Sequence, residues 1–472
     1  MDRSTSAIRR RQARRPLPAG LAIGAALIIG FLVCLGLNLP GHLSYDSVMQ
    51  LWQGRTGLYN SWHPPVMAWM LGLADSLIQG ASLFVVFDAA LLYGGFLIVL
   101  GLHRRPAWAG LAVALVWMLS AQGLIYPAIV WKDVLFAGAT TAGFAALAQA
   151  EARWADRRAR LAWLGAAVLL LALAALARQN GAVVVVLAVL ALGWIAARND
   201  RKARVRSALV HGLGALVAIG LVVTAADIGL ALRSDGELAA LDQLEDLQTY
   251  DLSGAVKAQP SLRLDIIGDE NPELEARIRA DGARVYSPER LDSIQLQKPL
   301  QAALADTSAR TIAAQWADLV FHHPALYLQV RAESFRWTFL TPHLDRCLPF
   351  VIGVTGPQPW LGRLGVARKI RPQDAWLEDY ADGLVGTPLY SHAVYAVLAV
   401  VLIVVLWLRR RPGDIAIGAL QAGALAFVAS FFVIGVSCDY RYLYLLDVAA
   451  MVGAFHLALD PRLKPDSRNP II

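Results

Sequence analysis

The chain has 472 residues, of which 57% are hydrophobic and only 17% charged, and its mean hydropathy is +0.49. Soluble domains carry about a quarter charged residues, so this composition excludes a string of soluble modules and points to an all-α polytopic membrane protein. The 43 basic against 36 acidic residues leave +7 and a pI near 9.4, which in such a chain marks cytoplasmic loops rather than nucleic-acid binding.

Arg3, Arg9, Arg10, Arg11, Arg14 and Arg15 precede an apolar run from Leu17 to Leu39. That run is long and no small-residue cleavage site follows it, so it reads as a span and not a removable signal. Positive-inside logic places the basic tail 1–16 in the cytoplasm. Further apolar runs lie near 81–102, 107–126, 134–150, 161–177, 181–197, 207–230, 390–408, 414–436 and 442–459. Ten spans result, with both termini cytoplasmic and a short polar tail at 460–472.

The stretch Pro64–Gly80 is apolar, but it holds Asp75 and Gln79. If it does not cross, Arg104/Arg105, Arg153/Arg157/Arg158/Arg160, Arg198/Arg201/Lys202/Arg204/Arg206, Arg409/Arg410/Arg411 and Arg462/Lys464/Arg468 all lie inside. If it crosses, all 17 of those charges move outside. The stretch is therefore expected as an amphipathic helix at the outer interface. The chain divides into a transmembrane module 17–230 with its first outer loop at 40–80, an extracytoplasmic segment 231–388, and C-terminal transmembrane helices 389–459. Glu237–Leu247, Pro272–Asp281 and Ala309–Phe339 read as helical within the extracytoplasmic segment, interrupted by Gly, Pro and Asp.

The short outer loops hold few cations: Arg55, Lys132, Arg178 and Arg441. The last three sit in polar clusters at the membrane edge: Trp131-Lys132-Asp133, Arg178-Gln179-Asn180 and Asp439-Tyr440-Arg441-Tyr442. Each one alone is explained by snorkelling or a structural ion pair. Three on one membrane face suit an anionic ligand such as a lipid phosphate. The first outer loop adds a carboxylate, Asp46, in Ser44-Tyr45-Asp46-Ser47, and then Trp62-His63-Pro64-Pro65. Asp46 is placed either to act as a general base or to cap a short helix over Val48–Gln53. His63 either joins the site or anchors the interfacial helix.

An acidic residue in the first outer loop, followed by a His-Pro-Pro start to an interfacial helix, resembles the GT-C superfamily of membrane glycosyltransferases. This superfamily includes protein O-mannosyltransferases and the aminoarabinose transferases that modify lipid A. The likeness covers mainly residues 17–200, including the basic turn after the second span. Trp131-Lys132-Asp133 and His323-Pro324-Ala325-Leu326-Tyr327 with Arg331 resemble uncharacterised bacterial GT-C-like membrane proteins. The resemblance implies inverting transfer of a sugar from a polyprenyl-phosphate carrier to a glycan, lipid or protein acceptor on the outer face of the cytoplasmic membrane. It casts Asp46 as base and Lys132, Arg178 and Arg441 on the phosphate side, with His63, Asp133, Asn180 and Tyr440 positioning substrate. No cofactor follows firmly: a divalent cation would want a second carboxylate beside Asp46, where this chain has Ser47.

Two rivals stand beside that expectation. A transporter or flippase of lipid-linked glycans needs similar spans, but no pair of Gly/Pro-broken helices recurs in two halves. An O-antigen ligase-type enzyme draws on large-loop residues, here Arg331, Arg336, His322 or His323. Trp316, Trp337, Trp360 and Trp376 either stack on sugars or pack at the interface. Cys34 is expected as a buried free thiol. Cys347 and Cys438 share the outer side, where an oxidising compartment permits a bridge if their Cα atoms come within about 7 Å.

Overall fold

The structure is a computed structural model that describes residues 18–59, 63–200, 202–232 and 239–463. The basic tail, Trp62, Arg201, the start of the Glu237–Leu247 stretch, Lys464 and Arg468 lie outside the described residues. Those described form helices and turns with isolated β-bridges, and no strand. The protein is an all-helical, multi-pass membrane protein.

The helices of the bundle are α1 (Ala19–Asn38), α4 (Ser82–Leu100), α5 (Ala109–Leu119), α6 (Lys132–Ala152), α7 (Arg157–Ala177), α8 (Ala182–Asn199), α9 (Arg204–Ala231), α15 (His392–Arg409), α16 (Asp414–Ile434) and α17 (Tyr444–Leu459). The loop between α1 and α4 carries α2 (Tyr45–Thr56) and α3 (Pro65–Leu77). The large segment includes α10 (Ala239–Ala258), α11 (Ala309–His322), α12 (Pro324–Leu340), α13 (Gln358–Leu364) and α14 (Pro372–Asp382). Among the described residues eight helices are long and apolar enough to cross a bilayer, and α5 with the helical turns over Ala121–Ala128 makes a ninth, against the ten expected; α6 is not among them.

That ninth span differs from expectation. The run near 107–126 is bent by 78° at Ser120, whose extended backbone ends α5 and whose Oγ accepts from the Gly123 amide to start a new turn. The expected span near 134–150 is α6. It is 21 residues long, and every residue from Asp133 to Glu151 is buried. Facing protein rather than lipid on all sides, it is rich in Ala, Gly and Thr, which allow close helix approach.

The ends of the bundle are distinguishable. His103 meets His456 (3.1 Å), Ala107 bonds the Leu459 carbonyl (2.8 Å), Arg198 bonds the Arg410 carbonyl (2.9 Å), and Arg411 pairs with Asp460 (2.5 Å). The arginine-bearing turns therefore share one end. At the other end, Gly41 (φ +112°) backs onto Val85 and Ala81, so the loop between α1 and α4 begins and finishes at the same place. Helix α3, at 13 residues, is about 20 Å long and too short to cross between those points. It packs on α2 where Gly54 and Gly72 meet backbone to backbone, and Arg55 grips Asp75 through two bonds of 2.7 and 2.8 Å. The large segment sits at this same end: Leu43 donates to the Gly353 carbonyl, and Arg371 donates to the carbonyls of Leu39 and Asn38.

Candidate functional site

Asp46 sits on the first turn of α2, which runs from Tyr45 to Thr56 and not only over Val48–Gln53. The cap is Ser44, whose side chain accepts from the Ser47 amide while the Ser47 hydroxyl accepts from the Ser44 amide. Asp46 is thus released from capping. Two contacts fix α2 to the start of α6: Ser47 Oγ donates to the Val130 carbonyl (2.6 Å) and Trp131 Nε1 donates to Ser44 Oγ (3.0 Å). They bring Asp46 over the N-terminus of α6, where Lys132 and Asp133 occupy the first two positions.

Arg441 closes the arrangement from the turn before α17. Its guanidinium lies 2.6 Å from Asp46, 3.0 Å from Asp439 and 3.8 Å from Asp133, over the face of Trp131. Arg178, at the end of α7, pairs with the other oxygen of Asp133 and lies among the rings of Phe427, Phe431 and Tyr442. Asn180 accepts from Arg178 (3.4 Å) and donates to Ser430 (3.0 Å). His63 bridges what remains: Nδ1 is 3.2 Å from Lys132 Nζ, and Nε2 is 3.8 Å from Asp46 Oδ1.

The structure therefore brings Asp46, His63, Lys132, Asp133, Arg178, Asn180 and Arg441 into one network drawn from five separate segments. Formal charge balances, with three carboxylates (Asp46, Asp133, Asp439) against three cations. The balance is uneven in space. Arg178 and Arg441 are held by carboxylates, whereas Lys132 has only the imidazole of His63 as a hydrogen-bond partner among the described residues. The Asp46 side chain is 27% exposed, against 2% for Asp133 and 12% for Asp439. Burial pushes the Asp46 carboxyl up, but Arg441, with His63 and Lys132 behind it, outweighs this and holds it below the usual carboxylate range. Burial and then Lys132 push His63 down, against the opposing pull of Asp46, so its ring is neutral near pH 7.

Tyr440 departs from expectation. It lies beside Arg441 in sequence but turns into the core, donating to Asp447 (2.7 Å) and stacking on His392 at 4.0 Å. The 3₁₀ turn over Tyr440–Leu443 explains this, because neighbouring side chains there point about 120° apart. Asp439 takes the place in the cluster; its position in the same polar motif was the available signal. Trp131 and Ser430 were likewise missed as members.

Three of the four residues of the ligase-type rival are committed elsewhere, and the fourth, His323, caps the turn between α11 and α12. Arg331, fully buried on α12, bonds Asp251 (2.8 Å) and the carbonyls of Phe432 (2.9 Å) and Gly435 (2.7 Å). His322 and Arg336 form exposed pairs with Asp318 and Glu333. Trp316 donates to Asp251, Trp360 packs edge-on against Trp52, and Trp337 is buried beside Cys347 and Cys438; Trp376 alone of the four is exposed, at 51%. Cys347 and Cys438 form a disulfide with Cα atoms 5.0 Å apart, and Cys34 is a buried free thiol. Among the described residues no group of three His, Cys, Asp or Glu side chains is placed to hold a metal ion. The carboxylates nearest Asp46 are engaged by arginines instead.

No protein-family model and no curated protein matches the chain. Two solved structures that match are of the oligosaccharyltransferase of Archaeoglobus fulgidus, one in complex with Zn and sulfate, the other (AglB) with an inhibitory peptide and a dolichol-phosphate. Each is 13% identical with a TM-score of 0.40, over 92% of this chain and 48% or 50% of the neighbour. The chain spans about half the length of these neighbours. A likeness of that size decides neither fold nor activity.

Proposed function

We propose that the protein is a GT-C-type glycosyltransferase. It transfers a sugar from a polyprenyl-phosphate-linked donor to an acceptor on the outer face of the cytoplasmic membrane, with inversion. The observation that carries this reading is the pairing of an accessible carboxylate, Asp46, with an amine lacking a carboxylate partner, Lys132, on opposite sides of the His63 ring.

In this reading the donor phosphate meets Lys132. As the bond from the anomeric carbon to the phosphate oxygen breaks, its electron pair stays on the phosphate, and the nearby cation stabilises the charge that develops. The acceptor hydroxyl attacks from the opposite face and gives its proton to Asp46. Arg441 keeps Asp46 ionised, and so ready to accept, at the cost of basicity. Proton transfer therefore belongs late in the step, when the new bond has acidified the hydroxyl. Arg178 and Arg441, already balanced by carboxylates, hold the site's field and geometry. No step in this scheme calls on a metal. An apolar groove of about 430 Å³, between Trp69, Leu73 and Leu77 of α3 and Phe84 and Phe87 of α4, suits the prenyl chain. It begins six residues after His63.

The test is Lys132→Gln in the purified, reconstituted protein, assayed for transfer from a polyprenyl-phosphate sugar. The reading expects kcat/KM for the donor to fall at least tenfold, about 1.4 kcal/mol, with the melting temperature unchanged. Full activity in this variant would remove Lys132 from the phosphate side.

A further inference from the structure

A second set of cations stands at the rim of this end of the bundle, and the chemistry above leaves it unused. Between Asp345 and Asp374 the chain contains no acidic residue, but it holds Arg346, Arg363, Arg368, Lys369 and Arg371. Arg346 pairs with Glu289 and Arg371 with Asp374. Arg363, Arg368 and Lys369 are exposed, and none of them forms an ion pair among the described residues.

The height of this segment along the bundle is set by its neighbours. Arg371 and Gln373 bond the last carbonyls of α1, at Asn38, Leu39 and Leu37. Tyr380 donates to the Leu119 carbonyl at the end of α5. Both helices carry exposed apolar faces just below: Ile29, Leu32 and Val33 on α1, and Leu115, Val116 and Leu119 on α5. Those faces need lipid, so the 366–382 segment lies where acyl chains give way to headgroups. Its own exposed apolar groups fit that depth. Ile370 is 66% exposed, and Trp376 stacks on Tyr380 in the manner of an interfacial aromatic belt. Uncompensated cations flanked by exposed apolar side chains at this level match the phosphate layer of a bilayer.

We propose that Arg363, Arg368 and Lys369 form a headgroup site for an anionic phospholipid of the leaflet that the active-site end faces. The site adjoins the candidate catalytic loop. The Lys369 carbonyl packs against Gly353 (φ +76°), and the Gly353 carbonyl accepts from the amide of Leu43, three residues before Asp46. The proposal goes beyond sugar transfer and does not depend on it.

Binding of phosphatidylglycerol and of phosphatidylcholine to the detergent-solubilised full chain, measured by native mass spectrometry, tests this. Phosphatidylglycerol should bind its first site at least tenfold more tightly than phosphatidylcholine, since each cation at an anionic lipid surface contributes about fivefold. R363Q/R368Q/K369Q should abolish the preference, whereas R363K/R368K, which keeps the charge, should retain it. If the triple variant melts at a lower temperature, K369Q alone carries the test, with an expected loss of about fivefold. An unchanged preference in these variants, or equal binding of the two lipids to the wild type, would overturn the proposal. Displacement of the lipid by millimolar inorganic phosphate would also overturn it, by showing a site for soluble anions.

Discussion

Replacing Asp46 by Asn separates chemistry from architecture more cleanly than any other change at this site. The cap of α2 is made by Ser44 and Ser47, so losing the Asp46 charge removes no helix-terminal hydrogen bond. What is lost is the ion pair with Arg441, a group that keeps Asp439 at 3.0 Å and Asp133 at 3.8 Å. Because Asp46 is 27% exposed, that pair is partly screened and contributes about 1 kcal/mol or less. Melting temperature should therefore shift by only a few degrees. Activity should respond on a different scale: removing a general base costs roughly 10² to 10⁴ in rate, about 2.7 to 5.5 kcal/mol. The assay is single-turnover transfer from a labelled polyprenyl-phosphate sugar, with thermal unfolding followed on the same sample. Turnover within about tenfold of wild type, roughly 1.4 kcal/mol of barrier, would show that Asp46 is not the base. A collapse of stability would show instead that the residue is structural.

Reporter fusions after Arg105 and after Arg158 should both read as cytoplasmic; an external signal at either would reverse the sidedness assigned to the site. Cys347→Ser/Cys438→Ser should lower the unfolding temperature, because the bridge closes a 91-residue separation that is worth about 4.6 kcal/mol in the chain-entropy model. Finding both cysteines as free thiols in non-reduced peptides would refute the bridge. Burial lowers the His63 pKa, so the unfolded chain binds the proton more readily, and stability is present above the ordinary histidine range and falls as pH drops through it. His63→Gln should therefore lose less stability than wild type between pH 7 and 5; identical pH profiles would show that His63 binds its proton equally well in the folded and unfolded chain, with no lowered pKa.

The spans and the end of the bundle carrying the site were legible because they depend on composition. Hydrophobic length marks the helices, and arginine distribution sorts the turns that join them. The site was legible for a related reason: ionisable residues are costly at membrane edges, so Lys132, Asp133, Arg178 and Arg441 stood out against apolar surroundings. Direction was not legible. Tyr440 and Arg441 are adjacent, and nothing in the sequence says that the first turns inward to Asp447 and the second toward Asp46. Pairing was not legible either. The three cations looked equivalent until the structure showed that Arg178 and Arg441 are balanced by Asp133, Asp46 and Asp439 while Lys132 is not. The bend at Ser120 escaped because a serine in an apolar run leaves hydropathy almost unchanged, although it caps the turn that follows.

Arg331 shows why the large helical segment stands where it does. Its guanidinium takes two carbonyls at the end of α16, and Ser334 and Thr338 on the same face of α12 take the carbonyls of Gly435 and Ser437. The Cys438 amide donates to the Glu289 carbonyl, and its side chain is bonded to Cys347. The five residues from Gly435 to Asp439 are thus fastened to the large helical segment on their way to Arg441. A free loop between two spans would leave Arg441 to choose among Asp46, Asp133 and Asp439 by electrostatics alone. Fastening the loop fixes that choice in advance, with Asp251 supplying the buried countercharge that lets Arg331 occupy an interior position. Removing one partner of such a pair costs about 3 to 5 kcal/mol, enough to make the clamp a strong constraint on the site. Under the proposed function, the large segment need not touch substrate to govern transfer, because it sets where the arginine that keeps Asp46 ionised can stand.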